Sequence, residues 1–230
     1  MKNYFAIQQA DKAADIYIFG DIVPLELFDG DVSANGIENQ IKNLDVDEIR
    51  VHIDSYGGAV SEGWAIYNAL RQHPAKIVTY GDGFVASAAL YPFLAGDERV
   101  ASSLSAYYFH RVSITANGYA DELRAAANEA EMMTEIGINA FVERTNMTSD
   151  QVRELMEAET WLTPSLALEY GLATSITADA ALPIVQAAKK NVMQRIFSAE
   201  NKTAEAKASV VLMPEEKKDP TLKDIIKSMI

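Results

Sequence analysis

The sequence contains no cysteine and only three histidines, which narrows the chemistry open to the chain. Without cysteine there is no disulfide, no thiolate metal site and no cysteine nucleophile. The histidines, His52, His73 and His110, are too scattered to indicate a zinc site, so we expect neither a metal nor a cofactor. No apolar run reaches the length of a membrane span, and the first residues lack a hydrophobic segment followed by a cleavage site. We therefore expect a cytoplasmic protein without a membrane partner.

Basic residues are scarcer than acidic residues, so the 230 residues carry a formal net charge of −13. Phosphate binding needs a basic face, so nucleic acid is not an expected partner. The charge is uneven, because residues 1–182 hold 11 Lys and Arg against 27 Asp and Glu, whereas residues 183–230 hold 9 against 6. This contrast predicts a globular domain over 1–182 and a separate charged extension over 183–230, partly helical or mobile. The extension could be attracted to the acidic domain or to a neighbouring subunit, or it could be a solvated tail without a partner; these alternatives remain open.

Strand and helix patterns alternate along the first half of the chain, which favours an α/β domain of parallel βαβ units. Glycine-rich segments, Ser55-Tyr56-Gly57-Gly58 and Gly81-Asp82-Gly83, follow two of the strands and are predicted to be turns that face one crevice. A long helix is predicted over 119–144, and shorter helices over 148–158 and from Pro164 to the glycine stop at 171. Strands are predicted at 15–22, 48–54, 76–80, 99–101 and 106–110, and the remaining helices at 32–44, 61–72 and 85–94.

Ser87 is the most informative residue, because it is a single hydroxyl within a run of small and apolar residues. A serine at a helix start has free backbone N–H groups beside it, and the N–H of Ala88 is a candidate oxyanion donor. Gly58 offers a second donor, and His110 is the candidate base. Each feature alone has an ordinary structural interpretation: small-residue packing for Ser87, a tight turn for Gly58 and a core position for His110. Together they indicate acyl transfer.

Other chemistries fit the sequence less well. The glycine pair is part of neither a phosphate-binding loop with lysine nor a dinucleotide fingerprint. A Ser-Lys peptidase needs a lysine downstream of the serine, but there is none between Lys76 and Lys189. An acyl-coenzyme A enzyme would use two backbone donors but would rarely need the pair of Ser87 and His110.

Four ordered motifs give the chain a resemblance to the Clp protease proteolytic subunit family. They are the segment 53–60, the segment 83–87, Phe109-His110, and the segment 159–172 that begins Glu-Thr-Trp. The resemblance implies a ClpP/crotonase-like fold with a projecting handle helix, and a serine endopeptidase that cleaves polypeptides inside a homo-oligomeric ring, heptamer-like and stacked in pairs. On this mapping Ser87 is the nucleophile, His110 the base and Glu159 the acid, with Gly58 and Ala88 as oxyanion donors and Ala59, Val60 and Val112 pairing with the substrate strand.

The chain departs from the family pattern at the acid, at Tyr56 in place of a proline, and at Arg111-Val112 in place of Gln-Pro. Glu159 stands where the family has aspartate, so Glu154 and Glu157 stay open as substitutes. The Glu-Thr-Trp segment is most similar to the phage and prophage branch, which includes head maturation proteases acting on capsid or scaffold proteins. A housekeeping-type subunit fed by an AAA+ unfoldase, and a non-catalytic ring or scaffold protein that retains the fold, are the alternatives.

Overall fold

The computed structural model describes residues 8–10, 12–27 and 30–177, and the predicted extension over 183–230 lies outside these ranges. The strands are β1 Gln8–Ala10, β2 Ala13–Ile18, β3 Glu48–Ser55, β4 Lys76–Ala86, β5 Glu98–Ala101, β6 Ala106–Tyr108, β7 Trp161–Leu162 and β8 Ser175–Ile176. The helices are α1 Ala34–Ile41, α2 Val60–Gln72, α3 Leu90–Leu94, α4 Ala120–Arg144, α5 Ser149–Glu157 and α6 Pro164–Glu169, with a 3-10 helix at Ser87–Ala89.

The strands form one mixed sheet in the order β1-β2-β3-β4-β5-β8, and β6 and β7 extend it from β4. The pairs from β2 to β8 are parallel, whereas β1 lies antiparallel to β2 at one edge and β7 lies antiparallel to β6. Parallel neighbours need a crossover connection, which α1 supplies between β2 and β3 and α2 between β3 and β4. The predicted α/β architecture is confirmed.

One face of the sheet is buried beneath helices. The side chains of β2 and β3 alternate between buried and partly exposed, as expected when only one face of a sheet meets the core. On the other face, Tyr17, His52 and Tyr80 lie in register on adjacent strands, and His52 stacks between the tyrosines with ring centroids 4.9 and 4.8 Å away. The buried side chains are Ile16, Ile18, Ile49, Val51 and Ile53 on the strands with Ile37, Ile41, Ile66, Leu70, Phe93 and Leu94 on the helices.

The prediction of a turn at Gly81-Asp82-Gly83 is wrong, because β4 continues through it to Ala86. The strand changes partners there: residues 78–81 pair with β5 and residues 84–86 pair with β6. Both glycines lie at close approaches, since a Cβ on Gly81 would meet the buried Tyr107 hydroxyl and one on Gly83 would meet the Asp54 carboxylate. The glycines therefore permit close packing along a strand, and only the segment after Ser55 leaves the sheet as a glycine turn.

The later helices agree with the prediction within a residue or two. Tyr119 is the N-cap of α4, Thr148 caps α5 by accepting from the Gln151 N–H, and Thr163 caps α6 with Pro164 in its first turn. The helix predicted over 85–94 is shorter, because Val85 and Ala86 belong to β4. The two-residue strand β7 was not predicted; it pairs Trp161 with Tyr108.

Arg99 joins the end of the domain to its middle. Its side chain is buried, and the guanidinium donates to the carbonyl oxygens of Gly96, Arg144, Gly171 and Leu172 at 2.7 to 3.1 Å. Burial lowers the pKa of Arg99, and these four acceptors compensate for lost hydration. The segment after α6 is thereby fixed against β5 and the end of α4.

Candidate active site

Ser87 lies where β4 ends and the 3-10 helix begins. Its φ is 55°, in the left-handed region that non-glycine residues rarely adopt. The backbone turns sharply here, from the extended Ala86 to the helical residues after Ser87. Gly57 packs against this turn, because a Cβ on Gly57 would lie 2.5 Å from the Ala86 oxygen and 2.7 Å from the Ala88 nitrogen. The strained geometry of Ser87 thus depends on a glycine in the neighbouring segment.

His110 forms a short hydrogen bond with Ser87. The distance from His110 Nε2 to Ser87 Oγ is 2.6 Å, so the ring is placed to take the hydroxyl proton. The strand segment that carries His110 is fixed on both sides: the Phe109 N–H donates to the Thr160 oxygen, and the Val112 N–H donates to Thr134 Oγ1. The predicted pairing of serine and histidine is present, although the two residues are 23 positions apart.

Burial is the main influence on the titration of His110. It lowers the pKa of the imidazole, while a hydrogen bond with the Arg111 backbone and the negative charge of Glu159 act in the opposite direction. A lowered pKa keeps the imidazole neutral at physiological pH, and the neutral form is the one that can accept a proton.

Glu159 follows α5 and has a φ of 50°, also in the left-handed region. Among the described residues, no hydrogen bond joins Glu159 to His110, and its carboxylate acts on the imidazole through its charge. The carboxylate acts more directly on Tyr108: burial raises the pKa of this hydroxyl to about 12, and the charge and hydrogen bonding of Glu159 add to the rise. The open alternatives, Glu154 and Glu157, are exposed on α5 and are not among the groups that shift the pKa of His110.

Tyr108 connects the base with the acid. Its ring stacks on His110 with centroids 5.4 Å apart, and on Trp161 with centroids 4.6 Å apart. Tyr108 and His110 are two positions apart on an extended segment, so their side chains share a face. Trp161 comes from β7, directly after the loop of Glu159. The histidine ring therefore has an aromatic support that the sequence motifs did not indicate.

The predicted oxyanion donors lie on both sides of Ser87. Ala88 is in the first turn of the 3-10 helix, where N–H groups have no partner within the helix. Gly58 forms a parallel bridge with Ile22 in which the Gly57 oxygen and the Ala59 N–H make the bonds, so the N–H of Gly58 points the other way. The φ of Gly58 is 143°, and a Cβ there would collide with the Ile22 carbonyl.

A cavity of about 140 Å³ contains these groups. Its wall includes Gly58, Ala88, Ser87 and His110, and its floor is apolar, formed by Leu90, Tyr91, Phe141 and Met156. The three residues predicted to pair with a substrate strand, Ala59, Val60 and Val112, also line it. Val60 is the first residue of α2, and the N–H groups of Ala59 and Val112 already donate to Ile22 and Thr134.

A larger cavity, of about 430 Å³, lies beside Phe19, Tyr56, Phe84 and Leu104. Its lining contains neither Ser87 nor His110, so the reactive pair assigns the chemistry to the smaller cavity. Among the described residues, no cluster of His, Asp or Glu could hold a metal ion. No helix in the described ranges is both long and apolar enough to cross a membrane.

Known proteins resemble this chain in sequence and in fold. The family model described as Clp protease matches residues 28–180. The chain belongs to the Clp protease family. It is 33% identical over 160 residues to ATP-dependent Clp protease proteolytic subunit 2 of Treponema pallidum, covering 65% of this chain and 80% of that protein. It is 30% identical over 139 residues to the subunit 2 of Corynebacterium efficiens, covering 60% of this chain and 70% of that protein.

A solved structure of a ClpP1 mutant from Listeria monocytogenes has the same fold. Its TM-score is 0.62 at 24% identity, and the match covers 72% of this chain and 93% of that one. The predicted Clp-like fold is confirmed, and the similarity to Clp protease subunits identifies the chain as a peptidase. The roles of individual residues, the acid among them, stay predictions.

Several lining residues had no distinct signal in the sequence. Phe141 and Met156 come from α4 and α5, more than fifty positions after Ser87, and their spacing is that of ordinary core residues. Periodicity identifies a buried face but does not distinguish the wall of a cavity from a packed core. Tyr108 could have been identified from the sequence, because residues two positions apart on a strand have side chains on the same face, and Tyr108 is two positions before the candidate base.

Proposed function

We propose that this Clp-family protein is a serine endopeptidase in which Ser87 is the nucleophile and His110 the general base. The observation that carries the proposal is the 2.6 Å contact between Ser87 Oγ and His110 Nε2, beside two backbone donors. Oγ attacks the scissile carbonyl carbon while its proton passes to Nε2, and the N–H groups of Gly58 and Ala88 bind the resulting oxyanion. His110 then gives the proton to the leaving amine, and a water molecule activated by the same ring hydrolyses the acyl-enzyme.

In this mechanism Glu159 is the acid. Its charge favours the imidazolium that forms after proton transfer, because it raises the pKa of His110. The Tyr108 hydroxyl donates a hydrogen bond to the Glu159 carboxylate, and the Tyr108 ring stacks on His110. The Arg111 backbone also favours the imidazolium, because its hydrogen bonding raises the pKa of His110.

Labelling with a fluorophosphonate tests the proposal, since this reagent phosphonylates activated serines. Wild type is expected to be labelled once per chain and Ser87→Ala not at all, with peptide cleavage lost in parallel. Ser113→Ala is the matched control, because Ser113 lines the same cavity and has no role in the mechanism. Full labelling of Ser87→Ala would refute the proposal, and so would a wild type that is not labelled. A wild type that forms an intact ring but is not labelled would favour a non-catalytic scaffold.

We also propose that the chain works in the cytoplasm as a homo-oligomeric ring, fed with polypeptide by an AAA+ unfoldase or acting on phage capsid or scaffold proteins. Support comes from apolar side chains exposed along α4, at Leu123, Met132, Ile136 and Val142, which a partner copy would cover. The Glu-Thr-Trp segment supports the phage role. Native mass spectrometry of wild type and of Met132→Asp tests assembly: wild type is expected as a ring and the variant as smaller species. A monomeric wild type would refute it.

A further inference from the structure

The catalytic cavity has a charged side chain at its rim, and the proposed mechanism does not use that charge. Arg111 is the only Lys, Arg, Asp or Glu among the residues that line it, and its side chain is exposed. The rest of the lining is apolar or neutral, apart from His110, whose pKa is lowered. A substrate bound at Ser87 would therefore meet one fixed positive charge next to an apolar floor.

Arg111 also differs from every other cation in the described ranges. The side chain of Arg111 has no ion pair or hydrogen bond with any described residue, in a domain where acidic residues far outnumber basic ones. The other lysines and arginines each contact a carboxylate or another oxygen of the protein: Lys12, Lys42, Arg50, Arg71, Lys76, Arg99, Arg124, Arg144 and Arg153. A cation at the mouth of a cavity that has no partner among the described residues is available for a ligand.

The position of Arg111 is fixed by its backbone. The residue before it is the base, and the residue after it is tied to α4 by the bond from the Val112 N–H to Thr134 Oγ1. The side chain therefore starts from a rigid point within one residue of the reacting atoms. This rigidity matters because a charge contributes to specificity only when its place relative to the scissile bond is defined.

We propose that Arg111 selects polypeptide substrates that carry an aspartate or glutamate close to the scissile bond, beside an apolar residue that enters the pocket of Leu90, Tyr91, Phe141 and Met156. A guanidinium suits this role, since its planar set of donors can bind both oxygens of a carboxylate. The acidic domain repels acidic peptides in general, so the preference is local to one position of the substrate. The inference rests on the proposed peptidase function.

A matched set of fluorogenic peptides tests it. In one parent peptide with an apolar residue before the scissile bond, each of the three positions on either side is changed in turn to Asp, Asn or Lys. With the full-length protein, kcat/KM for the best Asp peptide is expected to exceed that of its Lys counterpart about 3- to 10-fold, as for a partly exposed ion pair, and less at high salt. Arg111→Gln should abolish the discrimination and Arg111→Glu should reverse it.

Arg124→Gln is the control, since it removes an exposed arginine outside the cavity and should keep the preference of wild type. Fluorophosphonate labelling distinguishes a failure of the peptidase function from a failure of the role of Arg111. An unlabelled wild type refutes the peptidase itself. A labelled wild type with equal rates on Asp and Lys peptides refutes only the role of Arg111. If Arg111→Glu instead changes the oligomer mass without any charge preference, the arginine pairs with a second copy and the inference is overturned.

Discussion

Gly57 packs closely against the backbone on both sides of Ser87, so adding one methyl group there tests how Ser87 is held. In Gly57→Ala the new Cβ would lie 2.5 Å from the Ala86 oxygen, 2.7 Å from the Ala88 nitrogen and 2.8 Å from the Ser87 Cβ. None of these atoms is the end of a flexible side chain, so the backbone itself must move. The φ of 94° at Gly57 adds a conformational penalty for any residue with a Cβ.

The conformational penalty and the steric clash can be estimated separately. A non-glycine residue held in a sparsely populated region costs about 1–3 kcal/mol, and overpacking adds about 1–3 kcal/mol. The free energy of unfolding should therefore fall by roughly 2–6 kcal/mol, which corresponds to a decrease in Tm of roughly 5–20 °C for a domain of this size. Displacing the N–H of Ala88 removes an oxyanion donor, and this lowers kcat by about 10²- to 10³-fold.

Calorimetry and peptide cleavage measure the two effects. Gly36→Ala is the matched control, because its Cβ would meet chiefly the Glu26 side chain, and alanine is favoured in the interior of α1. The control should change Tm by less than about 3 °C and leave cleavage intact. A Gly57→Ala protein that unfolds and cleaves as wild type does would refute the argument that this close approach shapes the site.

Three further predictions concern the base and its neighbours. Because the pKa of His110 lies below its ordinary 6.5, kcat/KM should stay on its plateau below pH 6.5 and fall only at lower pH. Glu159→Gln removes a charge that raises the pKa of His110, so the acid limb of its pH profile should lie at still lower pH. The plateau of kcat/KM should fall about 10- to 100-fold, which is less than when a directly bonded triad carboxylate is lost. An acid limb that does not move would contradict the role of Glu159. Tyr108→Phe keeps the ring stack and should lower kcat about 2- to 10-fold with KM unchanged, by loss of one hydrogen bond to a charged group. In the Glu159→Gln background the same change should have no further effect, and additive losses in steady-state kinetics would show that Tyr108 acts independently of the acid.

Local patterns in the sequence were sufficient for most of the fold. Capping residues such as Thr148 and Thr163 fixed the starts of helices, because their hydroxyl groups accept from specific backbone N–H groups nearby in the chain. The segment at Gly81-Asp82-Gly83 was misjudged for the opposite reason. Its glycines serve contacts with Tyr107 and Asp54, which are distant in sequence, and such contacts leave no local pattern.

In the candidate site too, some residues could be predicted from the sequence and others could not. Ser87, His110 and Gly58 could be proposed from residue type and order, since nucleophile, base and donor each require a particular chemistry. The link from Glu159 to His110 through Tyr108 could not, because it depends on how β6 and β7 pair. The apolar floor likewise depends on α4 and α5 packing beneath Ser87.

The buried guanidinium of Arg99 has a consequence for the order of folding during synthesis. Two of its four acceptors, the carbonyl oxygens of Gly171 and Leu172, lie more than seventy residues further along the chain. Until the ribosome has released that segment, Arg99 can be neither dehydrated nor enclosed, because a buried charge without acceptors is strongly unfavourable. The packing around Arg99, between β5, the end of α4 and the segment after α6, is therefore completed only after residues 171–174 have emerged, which makes it a late step in synthesis of the domain.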